Sequence, residues 1–158
     1  MKYKYLVGLL ATLPASFALA ATDISSMASK IEPKVIEWRH HFHQNPELSN
    51  REFKTAEYIA KYMRSLGMEV QTGIARTGVV AILDSGKPGP VVALRADMDA
   101  LPVPEENDLP WKSTARGEFN GKDVPVMHAC GHDTHMAMLM GAATLLNEQK
   151  ANLTGKVK

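Results

Sequence analysis

The stretch Met127-His128-Ala129-Cys130-Gly131-His132-Asp133-Thr134-His135-Met136 holds the single cysteine of the chain and three of its six histidines. Thiolate sulfur and imidazole nitrogen both bind zinc and similar divalent ions. One glycine between Cys130 and His132 permits a sharp turn, so both side chains can face one point. The residues that follow read as a helix, whose N-terminal dipole favours a thiolate. His132 and His135 are three apart and share a face of that helix. Asp133 can cap it, or hold an imidazole in one tautomer from outside the coordination sphere. Four such side chains within six residues favour a metal site. Two other readings use the same atoms. Cys130 could be a buried structural cysteine beside polar capping residues, or a nucleophile activated by a histidine. The nucleophile ranks lower, because His132 is tied to the same turn as the sulfur and no Asn or Asp stands ready to orient it.

A second group lies upstream, in Arg95-Ala96-Asp97-Met98-Asp99-Ala100-Leu101-Pro102. It follows an apolar run, and open α/β sheets place ligands at the carboxyl ends of strands. Asp97 and Asp99 are two apart and would point the same way on an extended segment. Solvated loop carboxylates or a helix cap are equally good readings of the pair. His40, His41 and His43 receive no role from spacing. A surface or capping place is expected for each, with His41 the most exposed by phase.

These groups need a scaffold. Met27, Ile31, Val35, Trp38 and Phe42 recur at helical spacing, predicting a helix from Ile24 to about Asn45, ended by Pro46. A second helix is predicted to start after Ser49 or Asn50 as cap. Its stripe is Phe53, Ala56, Ile59, Ala60 and Met63, and Gly67 stops it. Met68–Gln71 reads as a short strand, followed by the β-branched run Gly78–Leu83. Asp84–Gly89 is a turn, and the run Pro90–Ala96 is expected as the neighbouring strand, buried on both faces. Leu101–Val126 is long and proline-rich, with Asn120-Gly121 as a hairpin turn. A helix from His132 or Asp133 to Glu148 presents Met136, Leu139, Met140, Ala143 and Leu146. Lys156–Lys158 begins another strand.

Composition bounds the rest. The 158 residues carry 18 Lys+Arg against 17 Asp+Glu, with no basic run, so nothing points to nucleic acid. At 45% hydrophobic and 22% charged the chain is globular in type. Lys2 and Lys4 precede the apolar run LVGLLATLPASFALA, and Ala18-Leu19-Ala20 ends it with small residues. This is the pattern of a secretory signal peptide over residues 1–20, preferred to a membrane anchor because the run is short and contains Pro14. An exported chain with one cysteine has no internal disulfide to form. A thiolate held by metal is one use for it. Asn152-Leu153-Thr154 matches a glycosylation sequon and carries little weight.

The chain resembles the metal-dependent amidohydrolases, which include aminoacylase-like, hippurate-hydrolase-like and auxin-conjugate-hydrolase-like enzymes. They are relatives of the co-catalytic zinc carboxypeptidases. The matching pieces are HQNPELSNREFKTAEYIAKYMRSLGMEV from His43, RTGVVAIL from Arg76, VVALRADMDALPVPE from Val91 and MHACGHDTHMAMLMGAA from Met127. The resemblance extends over almost all of the chain after residue 20, and HACGHD with RADMDALP upstream is its most specific part. The resemblance implies an α/β fold: a zinc-peptidase-like three-layer catalytic domain with a central mixed sheet flanked by helices. Residues 21–158 would be its N-terminal part, incomplete here, with the lid or dimerisation domain absent.

The resemblance also implies two divalent ions, zinc or manganese first and cobalt or nickel as alternatives. Cys130 and His132 would be metal ligands, and Asp99 the catalytic aspartate that orients the site. Asp97 stands where carboxypeptidase relatives have a metal-binding histidine, and that role is not carried over; His128 and His135 receive none. The implied reaction is hydrolysis of an amide in an N-acyl amino acid or small peptide. The general base, a glutamate of a paired-glutamate motif, is expected after the strand that starts at Lys156. The 158 residues alone would then be inactive. The loop Gly117–Val124 is longer than the resemblance leads one to expect before the HACGHD turn, which would alter the pocket rim. The expected partner is a small-molecule substrate, and a homo-oligomer remains open. A non-catalytic metal-binding or scaffold protein of the same fold, and a cysteine-nucleophile hydrolase, are the alternatives.

Overall fold

The computed structural model describes residues 14–158, with side chains from residue 24 onward. Most of the leader expected at residues 1–20 lies outside the described residues. Helix α1 spans Pro14–Gln44, starting before the expected Ile24 and ending just before Asn45-Pro46. Trp38 and Phe42 are buried on its inner face, while Pro33 sits on the exposed side and gives up one ladder bond. Among the described residues no helix is long and apolar enough to cross a membrane.

Helix α2 spans Phe53–Ser65. Neither Ser49 nor Asn50 caps it. Instead the Glu47 carboxylate accepts the backbone N–H of Thr55 at 2.8 Å and of Lys54 at 3.3 Å, satisfying amides the first turn leaves free. Ala56, Ala60 and Met63 are buried as the stripe predicts, but Phe53 is 55% exposed. It stands at the first turn, with the Arg76 guanidinium over its ring. Gly67, at φ +76, ends the helix. Its N–H bonds the Arg64 carbonyl, and the N–H of Met68 bonds that of Met63.

Strands β1 (Glu69–Ile74) and β2 (Gly78–Asp84) form an antiparallel pair. Strand β3 is only Val91–Val92. Strands β4 (Arg116–Phe119) and β5 (Lys122–Pro125) form a separate hairpin. Its turn is Asn120-Gly121, with φ +52 and +74, as that dipeptide predicts. Helix α3 is His132–Glu148, and strand β6 is Lys156–Val157.

The main sheet has the order β1-β2-β6-β3, antiparallel except for the parallel β6–β3 pair. This corrects one expectation. β2 and β3 are not neighbours, because β6 inserts between them. Among the described residues β3 stands at the end of the strand order, with Val91 66% and Val92 50% exposed. The turn at Asp84–Gly89 is real, but it leads past the place that β6 occupies.

The three helices meet in one apolar cluster. Trp38 and Phe42 of α1, Met63 of α2, and Met136, Ala137, Met140 and Ala143 of α3 are its buried members, with Val70 and Ala81 of the sheet packed against them. Trp38 meets Tyr62 edge-on at 4.8 Å, and the Tyr62 hydroxyl shares a 2.7 Å hydrogen bond with Thr144. A smaller cluster of Leu48, Ala100 and Val126 fastens the hairpin to the body. α1 and α3 pack closely because Gly141 has no side chain: a Cβ there would lie 2.8 Å from Val35 Cγ2. Val35 is β-branched and cannot swing aside freely. Gly141→Val is therefore expected to cost about 2 kcal/mol through overpacking. A lowered urea midpoint at unchanged slope would show it; an unchanged midpoint would mean the helices separate without cost.

Candidate metal centre

Two backbone contacts bring the aspartate segment to the cysteine turn. Leu101 and Met127 exchange hydrogen bonds of 2.9 and 3.1 Å, and the Ala100 N–H donates to the Glu47 carbonyl at 2.8 Å. Asp99 is thus pinned beside the segment that runs from Met127 into α3. Gly131, the residue before that helix, has φ +80. Nothing lies within 4 Å of where its Cβ would be, so backbone conformation and not space is what requires glycine. Its carbonyl accepts the N–H groups of Thr134 and His135, which starts the helix at His132.

His132 turns its Nδ1 toward Asp99, 2.9 Å from the backbone carbonyl oxygen and 3.0 Å from the carboxylate Oδ1. Both atoms only accept, so Nδ1 carries a proton, and in the neutral ring Nε2 is the nitrogen with the lone pair. That is the tautomer a metal ligand needs, held by an aspartate as outer partner. Cys130, one residue before the glycine, is exposed and unbridged. His135 is exposed one turn along α3, its ring centre 6.2 Å from that of His132.

Asp97 and Asp99 do not share a partner. Asp97 pairs with Arg95 at 2.8 Å, and Arg95 holds its carboxyl below the usual aspartate range. Cys130 and His132 fit a divalent ion as a soft sulfur and a nitrogen on one turn. They fit as part of a donor set, since among the described residues no group of three or more donors converges.

The structure adds residues that spacing did not single out. His43 is buried, not on the surface, and lies between two carboxylates. Its Nδ1 is 2.8 Å from Asp133 Oδ2 and its Nε2 is 2.8 Å from Glu105 Oε2. Arg39 Nε donates to the same Asp133 oxygen at 3.3 Å. So Asp133 does hold an imidazole, but one from α1. Burial alone would raise the carboxyls of Asp133 and Glu105. Bonds from His43 and from backbone N–H groups outweigh it, and both end below their ordinary range. His41, like His40, is half-buried, and it stacks on Tyr58. The one local signal for His43 was Arg39-His43 at i, i+4, next to the buried Trp38-Phe42 pair. Glu105 lies 62 residues from His43, in an irregular segment with no periodicity to read.

Residues 93–158 match the model of Peptidase family M20/M25/M40. Over that stretch the chain is similar to M20 peptidases. Thermostable carboxypeptidase 2 of Saccharolobus solfataricus is 47% identical over 130 residues, 82% of this chain and 31% of that protein. The N-acyl-L-amino acid amidohydrolase of Geobacillus stearothermophilus is 40% identical over 136 residues, 86% of this chain and 35% of its own. The crystal structure of the Bacillus subtilis YXEP protein, a dinuclear metal binding peptidase from the M20 family, superposes with a TM-score of 0.70 at 36% identity. The alignment covers 84% of this chain and 34% of that one. The chain thus spans about a third of the length of the proteins it matches. Its mixed α/β architecture is that of these neighbours.

His128, two residues before Cys130, generates a pH prediction. It is 4% exposed and neither ring nitrogen has a hydrogen-bond partner. Burial drives its pKa down to about 4, against the pull of Asp133 and with help from His43 and His132. The folded ring stays neutral while the unfolded one takes a proton below its ordinary value of 6.5. Stability is therefore complete above about 6.5 and drains away as pH falls toward 4. The expected loss from this residue between pH 7 and pH 5 is about 2 kcal/mol. Urea unfolding of the native chain and of His128→Leu at both pH values checks it: the native chain should lose more by that amount. Equal losses would sink the assignment.

Proposed function

We propose that this chain supplies part of the metal centre of a hydrolase that cleaves the amide bond of N-acyl amino acids or small peptides. The observation that carries the reading is the Asp99–His132 pair. It frees Nε2 of His132 as a donor on the same glycine turn as the exposed Cys130 thiol. The amidohydrolase and carboxypeptidase names of the relatives support the reaction class, and the dinuclear metal-binding neighbour supports two divalent ions. Zinc or manganese comes first for such donors, with cobalt or nickel as alternatives.

Each residue has a physical task in this reading. Asp99 accepts the Nδ1 proton of His132 and fixes the ring. Gly131 lets sulfur and nitrogen converge. Cys130 sits one residue outside the N-terminus of α3, where a thiolate is favoured. Bound divalent ions supply a water of lowered pKa and polarise the scissile carbonyl. The cysteine-nucleophile alternative is disfavoured, because His132, the ring that follows Cys130 on the same turn, is turned to Asp99. A small-molecule substrate is the partner in this proposal.

The test uses the whole gene product and N-acyl amino acids. A chelator is expected to abolish release of the amino acid, and added metal to restore it. Asp99→Asn should lower metal affinity or activity by about 10- to 100-fold. Activity that survives chelation but not alkylation of Cys130 would establish the cysteine hydrolase. Metal binding with no hydrolysis would leave the scaffold reading.

Export is part of the proposal, supported by Lys2, Lys4, the apolar run and Ala18-Leu19-Ala20. Expression in a secreting host should give a product outside the cytoplasm whose first residue is Ala21. A product retained inside with its leader intact would refute export.

A further inference from the structure

We propose that His43 is a positioning residue, whose grip on Asp133 and Glu105 holds the Gly131 turn so that Cys130 and His132 converge on one ion. The inference rests on the reading of those two residues as ligands and adds a residue from a distant helix to that site.

Three segments surround the turn, and His43 touches two of them from the third. It lies in the last turn of α1. Its Nδ1 side meets Asp133, the second residue of α3 and the direct neighbour of His132, across 90 residues of sequence. Its Nε2 side meets Glu105, in the segment that follows Asp99. The side chains of His43, Asp133 and Glu105 are 6%, 2% and 3% exposed, so these bonds are not traded for water. Glu105 is itself fixed. Its Oε2 also accepts the Ser113 N–H at 3.1 Å, and its Oε1 accepts the Asn107 amide. Ser113 in turn donates to the Val126 carbonyl at 2.6 Å, at the end of β5 that leads to His128 and Cys130.

The same end of α1 grips this segment twice more. His40 stacks on Trp111 with ring centres 3.9 Å apart, and the Gln44 amide donates to the Pro110 carbonyl at 3.4 Å. The arrangement goes further than packing requires. A helix N-terminus needs one capping acceptor, and a core needs only apolar contact. Here one imidazole joins two carboxylates on the two chain segments that carry the site residues. Asp99 orients the His132 ring; His43 anchors the backbone from which that ring projects.

The test is cobalt binding by the whole gene product, followed by the thiolate-to-cobalt charge-transfer band and by affinity. Met140→Ala is the control. Met140 is buried in α3 away from the turn, and its truncation lowers stability without touching the clamp. Thermal midpoints of all variants without metal are measured alongside. His43→Leu is expected to weaken cobalt binding at least about 10-fold and to diminish the band. Met140→Ala should keep both, although its midpoint falls. Should His43→Leu not fold, Glu105→Gln takes its place. It keeps an oxygen for the His43 ring but weakens the charge-assisted bond, and is expected to lower affinity measurably. A native band that persists unchanged in either folded variant overturns the proposal. So does an equal loss in Met140→Ala, which would make His43 a stability residue only. No thiolate band in the native protein would refute Cys130 as ligand, and the inference with it.

Discussion

The site depends on one backbone conformation. Between the Leu101–Met127 bridge and the first turn of α3 the chain must reverse, and it does so at Gly131 with φ +80. An L side chain there would cost roughly 1–2 kcal/mol even with open space around it. The conformation sets where Cys130 leaves the extended segment and where His132 enters the helix. It also decides the chemistry available: the thiol is put into solvent, and the ring is turned so that Asp99 meets Nδ1. A wider turn would separate sulfur from nitrogen. A continuous helix would rotate them to different faces.

What keeps that turn in place is electrostatic and costly. Burying a histidine between two carboxylates removes three polar groups from water, and such arrangements seldom add net stability. The helix dipoles reduce the cost. His43 and Arg39 stand near the C-terminal end of α1, where positive charge is favoured, and Asp133 stands in the first turn of α3, where negative charge is favoured. The two helix ends meet with complementary charges at the residue next to His132. His128 lies close by without any partner for its ring nitrogens, and burial keeps it neutral. Stability has thus been given up at several positions around one turn, which is where a functional constraint would be expected to override packing.

What was legible in the sequence was what is local. The periodic stripes of α1, α2 and α3 predicted their inner faces, with Phe53 the exception at a helix start. Asn120-Gly121 predicted its hairpin, and Gly67 and Pro46 predicted helix ends, because each acts through its own backbone angles. The Cys130-Gly131-His132 turn was legible for the same reason. The insertion of β6 between β2 and β3 was not, since strand neighbours far apart in sequence leave no periodic trace. The apolar run Val-Val-Ala-Leu marked β3 as a strand but not which strand lies beside it. The His43–Asp133–Glu105 clamp was hidden more completely. Each member looked like an ordinary capping or loop residue until the fold joined them.

Asp97 and Asp99 show how far a spacing rule reaches. Residues two apart point the same way only where a pleated ladder holds them. Strand β3 pairs at Val91 and Val92, with one further bond from the Leu94 N–H to the Lys158 carbonyl, and Asp97 and Asp99 lie outside that pairing among the described residues. From Arg95 on, tertiary partners decide. Arg95 captures Asp97 at the surface, and the bridges at Ala100 and Leu101 turn Asp99 toward His132. The same local pattern therefore yields one exposed ion pair and one carboxylate that orients a donor ring. The difference between them is set by Glu47 and Met127, whose backbone groups hold Ala100 and Leu101 and so fix where Asp99 can point.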